Sequence, residues 1–379
     1  MKPRLLVDSI SLLSKLTGIG KYTNEILKCI EKESKFDVNY FYGYYSKNRI
    51  RPSIKSNVKS IKSFVTEKPL LKKIARKLLL TSSKLFAPKF DLYWSPSFIP
   101  LDGIKASKIV TTVHDFSFLV YPQWHPKERL DYMNTYFFKN VQRSDWIITG
   151  SEFSKNEIVE YLKYDKDKIT VIYHGVDQEL YKVYDSTVLY ETKLKFDLTD
   201  SFLLFVGSIE PRKNLLSLLK AYHLLSETTK NTYPLILVGF KGWENKEIMK
   251  EIEKEKEHVR YLGYLSDEEL VHVYNLATLF IYPSLYEGFG IPPLEAMACG
   301  TAVVSSNAAS LPEACGDSAL YIDPLDIGDI TQKIEFLLND KSKMEELILK
   351  GLSRVREFTW EKSAKKHLEV FEKVLKEEE

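Results

Sequence analysis

Short strand patterns alternate with helical ones along this chain, and that alternation leaves very few folds open to it. In the first half, residues 4–7, 38–42, 92–94, 108–113, 146–149 and 169–172 read as buried strands. In the second half the candidates are 202–206, 234–238, 259–262, 279–282, 302–305 and 319–322. Between them lie amphipathic patterns such as 215–225 and 267–276, with apolar residues at helical spacing. Strands joined through helices pair in parallel, and parallel sheets are covered on both faces. A chain of 379 residues is long enough for two such units. The segment 177–200 is polar and lacks a core pattern, so it predicts the boundary. A first domain then covers residues 1–180 and a second 195–360. A final helix over about 361–376 carries Ala364, Leu368, Phe371 and Leu375 on one face.

Composition narrows the class. With 44% hydrophobic and 28% charged residues the chain is of the globular type. No apolar run approaches the ~18 residues of a spanning helix. The first residues carry Asp8 inside their apolar stretch and read as a strand, not a leader. Cys29, Cys299 and Cys315 are odd in number and lack metal-type spacing, which predicts reduced thiols and a cytoplasmic protein.

The most informative short segment is 282–300, Tyr-Pro-Ser-Leu-Tyr-Glu-Gly-Phe-Gly-Ile-Pro-Pro-Leu-Glu-Ala-Met-Ala-Cys-Gly. The turn at Gly288-Phe289-Gly290 runs into Pro292-Pro293, and proline suits the first turn of a helix. Gly300 would close that helix. Backbone N–H groups from Phe289 to Ile291 would form an anion site at the helix N-terminus. Glu287 precedes that site and Glu295 follows it, which suits a ligand with hydroxyls on both sides of a phosphate, such as a nucleotide-sugar.

These residues resemble the Glu-x7-Glu signature of the family-4 retaining glycosyltransferases, which have the GT-B fold. Segments 205–214 (Phe-Val-Gly-Ser-Ile-Glu-Pro-Arg-Lys-Asn), 300–304 (Gly-Thr-Ala-Val-Val) and 311–319 (Leu-Pro-Glu-Ala-Cys-Gly-Asp-Ser-Ala) resemble the same family in the expected order. The resemblance implies two Rossmann-like domains facing a cleft. The last helix, about 361–379, would cross back to the first domain, and Trp360 matches the family's frequent tryptophan before it.

Arg212 and Lys213 follow a strand end at Val206-Gly207-Ser208, where two cations can hold a diphosphate and stabilise it as it leaves. A solvated pair of loop cations is the alternative. The resemblance places them on the donor phosphates, and both side chains are expected to be exposed in an empty cleft. It gives Glu295 the ribose hydroxyls, although a carboxylate in a first helical turn also has a purely stabilising role. It gives Glu287 the donor sugar's hydroxyls and positive charge at the sugar ring. His114, in Thr-Thr-Val-His-Asp-Phe-Ser-Phe at 111–118, would orient the transferred sugar or contact the acceptor. No general base is implied, because the family reaction is drawn as front-face displacement.

Gly18-Ile-Gly20-Lys-Tyr-Thr23 invites a dinucleotide reading and fails it. Thr23 replaces the third glycine, and the motif lies well beyond its strand. It resembles instead the family's glycine-containing loop near the donor phosphates or acceptor. Gly239, Gly242 and Gly263 follow strands, where glycine lets backbone approach a flat ring or simply makes a turn. Main-chain groups around Leu265 could then read the nucleobase edge. Asp165-Lys-Asp167 imitates a metal-binding Asp-x-Asp but lies in a charged turn and reads as solvated loop. No metal and no dissociable cofactor are expected, the nucleotide-sugar being a substrate.

The net charge of +2 hides an asymmetry: residues 1–180 hold 30 Lys+Arg against 19 Asp+Glu, and residues 181–379 hold 24 against 33. Residues 47–89 contain thirteen basic residues and one acid, Glu67. Within them 69–80 patterns as a helix with Leu70, Leu71, Ile74 and Leu78 on one face and Lys72, Lys73, Arg76 and Lys77 mostly on the other. That suits an anionic membrane surface, or a solvated face of a helix packed on the sheet. Nucleic acid is not expected, since no recognition motif accompanies the charge.

His114-Asp-Phe-Ser-Phe with Pro122-Gln-Trp-His-Pro126 resembles the mannosyltransferases that build bacterial surface polysaccharides. The expectation is transfer of a hexose, mannose from GDP-mannose, to a glycan acceptor that is lipid-linked, by a protein peripheral on the inner face of the cell membrane. The alternatives are a UDP-sugar-dependent transferase, a GT-B nucleotide-sugar epimerase and a non-catalytic nucleotide-sugar-binding protein.

Overall fold

All twelve expected strands form, and they sort into two sheets. The computed structural model describes residues 1–13, 18–50, 88–242 and 245–377. The first sheet contains β1 (Arg4–Asp8), β2 (Asp37–Phe41), β3 (Tyr45–Ser46), β4 (Phe90–Ser95), β5 (Ala106–Thr112), β6 (Trp146–Thr149) and β7 (Ile169–Val171), in the order β3-β2-β1-β4-β5-β6-β7. The second contains β8 (Leu203–Val206), β9 (Leu235–Val238), β10 (Val259–Gly263), β11 (Leu279–Tyr282), β12 (Ala302–Ser306) and β13 (Leu320–Ile322), in the order β10-β9-β8-β11-β12-β13. Every pairing is parallel except β2 with β3, a hairpin edge that the strand patterns did not predict.

Both faces of each sheet are buried. Leu204 and Val206 enter one hydrophobic cluster of the second domain, while their neighbours Leu203 and Phe205 enter the other. This is the two-residue period of a strand expressed in a doubly covered sheet. In the first sheet, Leu5 and Val7 face a cluster opposite to that of Leu6.

The strand orders fix where ligands can sit. Each order reverses once, between β1 and β4 in the first sheet and between β8 and β11 in the second. A crevice opens at such a switch point, outside the carboxyl ends of the strands. Arg212 and Lys213 follow β8, and Glu287 follows β11. Pro96 follows β4 and His114 follows β5.

The chain crosses between domains twice. Val176 N donates to the Phe358 carbonyl at 3.1 Å, so the two crossing segments lie against each other. The polar segment after Asp177 packs with the second domain: Tyr181 and Leu198 are buried in its core, and helix Ser186–Lys195 lies on helix Asp267–Leu276. Helix Trp360–Lys376 crosses back to the first domain, where Trp360, Ala364, Leu368 and Phe371 pack with Leu5, Val7 and Trp94. Leu375 is only partly buried there. Buried His367 joins this core through the Tyr22 hydroxyl, 2.6 Å from its Nε2.

Cys299 and Cys315 are buried free thiols and Cys29 is half-buried. Among the described residues, no helix is long and apolar enough to cross a membrane. The basic segment with Lys72, Lys73, Arg76 and Lys77 lies outside the described residues.

Candidate active site

The helix expected after the double-glycine turn runs Ile291–Ala298. Gly290 begins it at φ 109° with no side-chain cap, so its first amides keep their hydrogen-bonding capacity. Gly300, at φ 73°, ends it as expected. Gly288 allows the two domains to meet: a Cβ there would stand 2.0 Å from the His114 carbonyl oxygen.

Glu287 is the hub of the site. Its Oε2 accepts from Arg212 Nη1 at 2.9 Å. Its Oε1 accepts from Lys213 Nζ and Ser284 Oγ, both at 2.6 Å, and from the Tyr282 hydroxyl at 2.9 Å. Burial opposes ionisation, but the Arg212 and Lys213 charges outweigh it and bring the Glu287 pKa down to about 2. Arg212 also pairs with Glu210, 3.0 Å away and 1% exposed, and donates to the Tyr286 carbonyl at 2.9 Å. Burial disfavours the Arg212 charge, while Glu287 and Glu210 more than restore it.

The exposed cations expected of an empty cleft are therefore not found. The Lys213 side chain is 10% exposed and that of Arg212 17%. The physical reason is the carboxylates around them: two cations packed this closely would repel, and Glu287, shared by both, neutralises them together with Glu210. Glu287 in turn accepts four hydrogen bonds, about the capacity of a carboxylate. A sugar hydroxyl would have to replace one of those donors.

His114 is fixed by one bond, from Nε2 to the Pro96 carbonyl at 2.8 Å. A carbonyl only accepts, so Nε2 carries the proton and Nδ1 is the acceptor in the neutral ring. Burial lowers the His114 pKa, which keeps that ring neutral at pH 7. Tyr22, Phe98 and His174 surround it at ring-centroid distances of 5.1, 5.3 and 5.7 Å.

Glu295 is buried and lies beyond the first turn of its helix, not within it as expected, because the helix starts at Ile291. Its Oε1 pairs with Lys21 Nζ at 3.2 Å and its Oε2 accepts from the Tyr274 hydroxyl at 3.4 Å. Lys21 comes from the other domain, at the start of helix Ile19–Glu33. A cation there opposes the helix dipole, so local structure does not account for it. Gly18 and Gly20 thus lie at the start of a helix whose Lys21 reaches Glu295.

The remaining expected residues divide by role. Phe289 is buried, stacked on Tyr173 with centroids 5.6 Å apart, and its carbonyl accepts from Ser310 Oγ at 2.9 Å, which leaves its backbone N–H for a ligand. Leu265 is likewise core through its side chain. Ile291 and Ser208 are half-buried. Gly207 N is bonded to the Val238 carbonyl at 2.9 Å, and a Cβ on Gly239 would meet the Gly207 oxygen at 1.8 Å. That glycine pair is explained by backbone packing between β8 and β9. Asp165 caps its own turn by accepting from Asp167 N at 3.0 Å, and both are exposed.

Sequence reasoning missed Lys21, Glu157, Glu210, Ser284 and Tyr286. Glu210 carried a signal, a carboxylate two residues from an expected phosphate-binding arginine. Tyr286, beside Glu287, carried another. Nothing in a single sequence marks Glu157.

Comparisons with known proteins identify the family. Residues 17–180 match the model described as Glycosyltransferase Family 4, and residues 189–354 match that of Glycosyl transferases group 1. O-antigen chain mannosyltransferase B of Escherichia coli is 35% identical over 360 residues, covering 91% of this chain and 93% of the relative. Serotype-specific mannosyltransferase WbdA of Escherichia coli is 33% identical over 285 residues, which are 73% of this chain and 35% of that longer protein. Among solved structures, sucrose-phosphate synthase from Thermosynechococcus elongatus superposes with a TM-score of 0.73 over 99% of both chains, at 18% identity, a likeness of fold alone. With its two switch-point sheets, its returning helix and a relative alike over nearly its full length, the chain belongs to the family-4 glycosyltransferases and has their GT-B fold.

Proposed function

We propose that this chain transfers mannose from GDP-mannose to a growing surface glycan, with retention at the anomeric carbon and without a metal ion. The observation that carries the reading is the pair Arg212 and Lys213 gathered on Glu287 at the switch point of the second sheet. Two preformed cations there suit a departing nucleoside diphosphate. The relatives named as mannosyltransferases support mannose, and the one named for the O-antigen chain supports surface polysaccharide.

In this scheme the acceptor hydroxyl oxygen bonds to C1 of the sugar as the C1–O bond to phosphate breaks. The hydroxyl proton passes to the departing phosphate, and the nucleoside diphosphate leaves. Arg212, Lys213 and the open helix end at Ile291 stabilise its charge. Neutral His114 accepts a sugar hydroxyl at Nδ1. Glu295 takes the ribose hydroxyls. Glu287 holds both cations in place and faces the sugar ring.

The test is transfer from GDP-mannose in the presence of EDTA, with the product's anomeric configuration read by NMR. Turnover should persist and the α configuration of the donor should be retained. Loss of activity with EDTA, restored by manganese or magnesium, would reject metal independence, and a clear preference for a UDP-sugar would reject the donor. Glu295→Gln should weaken GDP binding by about 10-fold, as expected for about 1.4 kcal/mol from a lost charged hydrogen bond. Unchanged GDP affinity would remove the ribose role.

The acceptor is proposed to be lipid-linked, with the protein held on the inner membrane face by Lys72, Lys73, Arg76 and Lys77. Each basic residue near an anionic surface contributes about 1 kcal/mol, screened by salt. Binding to anionic vesicles should therefore be strong at low salt and vanish when these four become Glu. A wild-type protein that ignores such vesicles at low salt would sink the membrane proposal.

A further inference from the structure

Glu157 is a buried carboxyl for which the donor reading has no use. It lies on helix Glu152–Leu162 of the first domain and is 7% exposed. Among the described residues no ion pair reaches it. Burial, with the charges of Asp115 and Glu160, pushes its pKa up to about 7 against the pull of a hydrogen bond from Tyr286. A buried carboxyl without a cation is costly and calls for a reason.

The geometry around it supplies one. Tyr286 belongs to the second domain and is 3% exposed. Its hydroxyl donates to Glu157 Oε2 at 2.6 Å and accepts from Phe116 N at 2.8 Å. Both partners are in the first domain, and Phe116 is two residues beyond His114. Along the chain Tyr286 is bonded to Glu287, and its carbonyl shares the Arg212 Nη1 with the Glu287 carboxylate. One phenol thus ties the segment carrying Glu287 to the strand end carrying His114.

Neighbouring contacts converge on the same helix. Ser151 Oγ donates to the Gly288 carbonyl at 2.7 Å. The Glu313 carboxylate, from the second domain, accepts from Glu152 N at 2.7 Å and Phe153 N at 3.2 Å, so it caps a helix of the other domain. These contacts fasten the helix N-terminus. Glu157, more than one turn further on, sets the position of Tyr286 itself.

We propose that Glu157 is a positioning residue for the transfer step, acting through the Tyr286 hydroxyl to hold Glu287 and Arg212 in register with His114. The proposal rests on the reading that His114 and Glu287 face the transferred sugar and Arg212 the departing phosphates. Misplacing a reacting group by a fraction of an ångström to an ångström is enough to slow a reaction strongly, while a nucleotide held elsewhere is unaffected. Glu157 and Tyr286 therefore act on kcat far more than on donor affinity, which Lys213 and Glu295 also support.

Three variants test this: Tyr286→Phe, Glu157→Leu and Glu157→Gln, with kcat, GDP affinity and folded fraction measured for each. Tyr286→Phe and Glu157→Leu should each lower kcat by about 10-fold or more, up to about 10²-fold, with GDP affinity changed by less than about twofold. The double variant should be no worse than the poorer single one, because both remove the same bond. Glu157→Gln keeps an oxygen that accepts from the phenol and should retain kcat within about threefold of wild type. Wild-type kcat in Tyr286→Phe would overturn the proposal. So would Glu157→Gln as damaging as Glu157→Leu, or losses that disappear once corrected for folded fraction. Failure of the donor reading shows separately, as unchanged GDP affinity in Glu295→Gln.

Discussion

Alanine at Arg212 or Lys213 should cut mannosyl transfer by about 10²-fold or more, the usual loss when one preorganised charge-stabilising group is removed. It should also cost stability. Arg212 neutralises Glu210 and part of Glu287, and Lys213 neutralises the rest. Removing one partner of a buried pair leaves an uncompensated charge, a penalty of about 3 kcal/mol. Both effects follow from one geometry, so kinetics and denaturant unfolding should be measured on the same preparations. Near-normal turnover in both variants would reject the phosphate assignment. Normal turnover with large destabilisation would make the cluster structural only.

Glu287→Gln should be comparably damaging. The amide places an N–H₂ where the carboxylate accepted only, facing Arg212, Lys213, Ser284 or Tyr282, and it removes the charge that holds the two cations together. Turnover should fall by about 10²-fold, and stability at neutral pH by about 3 kcal/mol. The pH dependence separates the charge from mere packing. The folded-state pKa of about 2 lies below the unfolded one. The stabilisation is thus fully present above about pH 4.3, the unfolded value, and is lost as pH falls through about 2. Wild type and variant should therefore differ widely in unfolding midpoint at pH 6 and converge toward pH 2. A constant difference across that range would show that Glu287 stabilises by shape and not by charge.

The two sheets were legible because a strand buried on both faces must be apolar at successive positions, and such runs stand out. The run at 279–282 became β11 without change, and that at 146–149 became β6. β3 escaped because two residues paired through a hairpin leave no pattern. Helix Ser186–Lys195 escaped because Val188, Tyr190 and Leu194 face outward and its apolar residues form no stripe. The cation pair was legible as chemistry, but its burial was not. Lys213 and Glu287 lie 74 residues apart in sequence and meet only because β8 and β11 are neighbours.

The sequence by itself determined the α/β class and the open helix end behind Gly290, and it singled out Arg212, Lys213, Glu287, Glu295 and His114 as candidates. The class and the helix end depend on local spacing, which a chain carries without knowing its fold, while the residue roles came from the family resemblance. Only the tertiary structure decided that Glu287 bridges both cations, that Lys21 reaches Glu295, and that the Tyr286 hydroxyl joins Glu157 to Phe116. The last of these joins two domains across 129 residues of chain. Such pairings follow from strand order and domain closure, and the energy of a buried charge depends on what finally surrounds it.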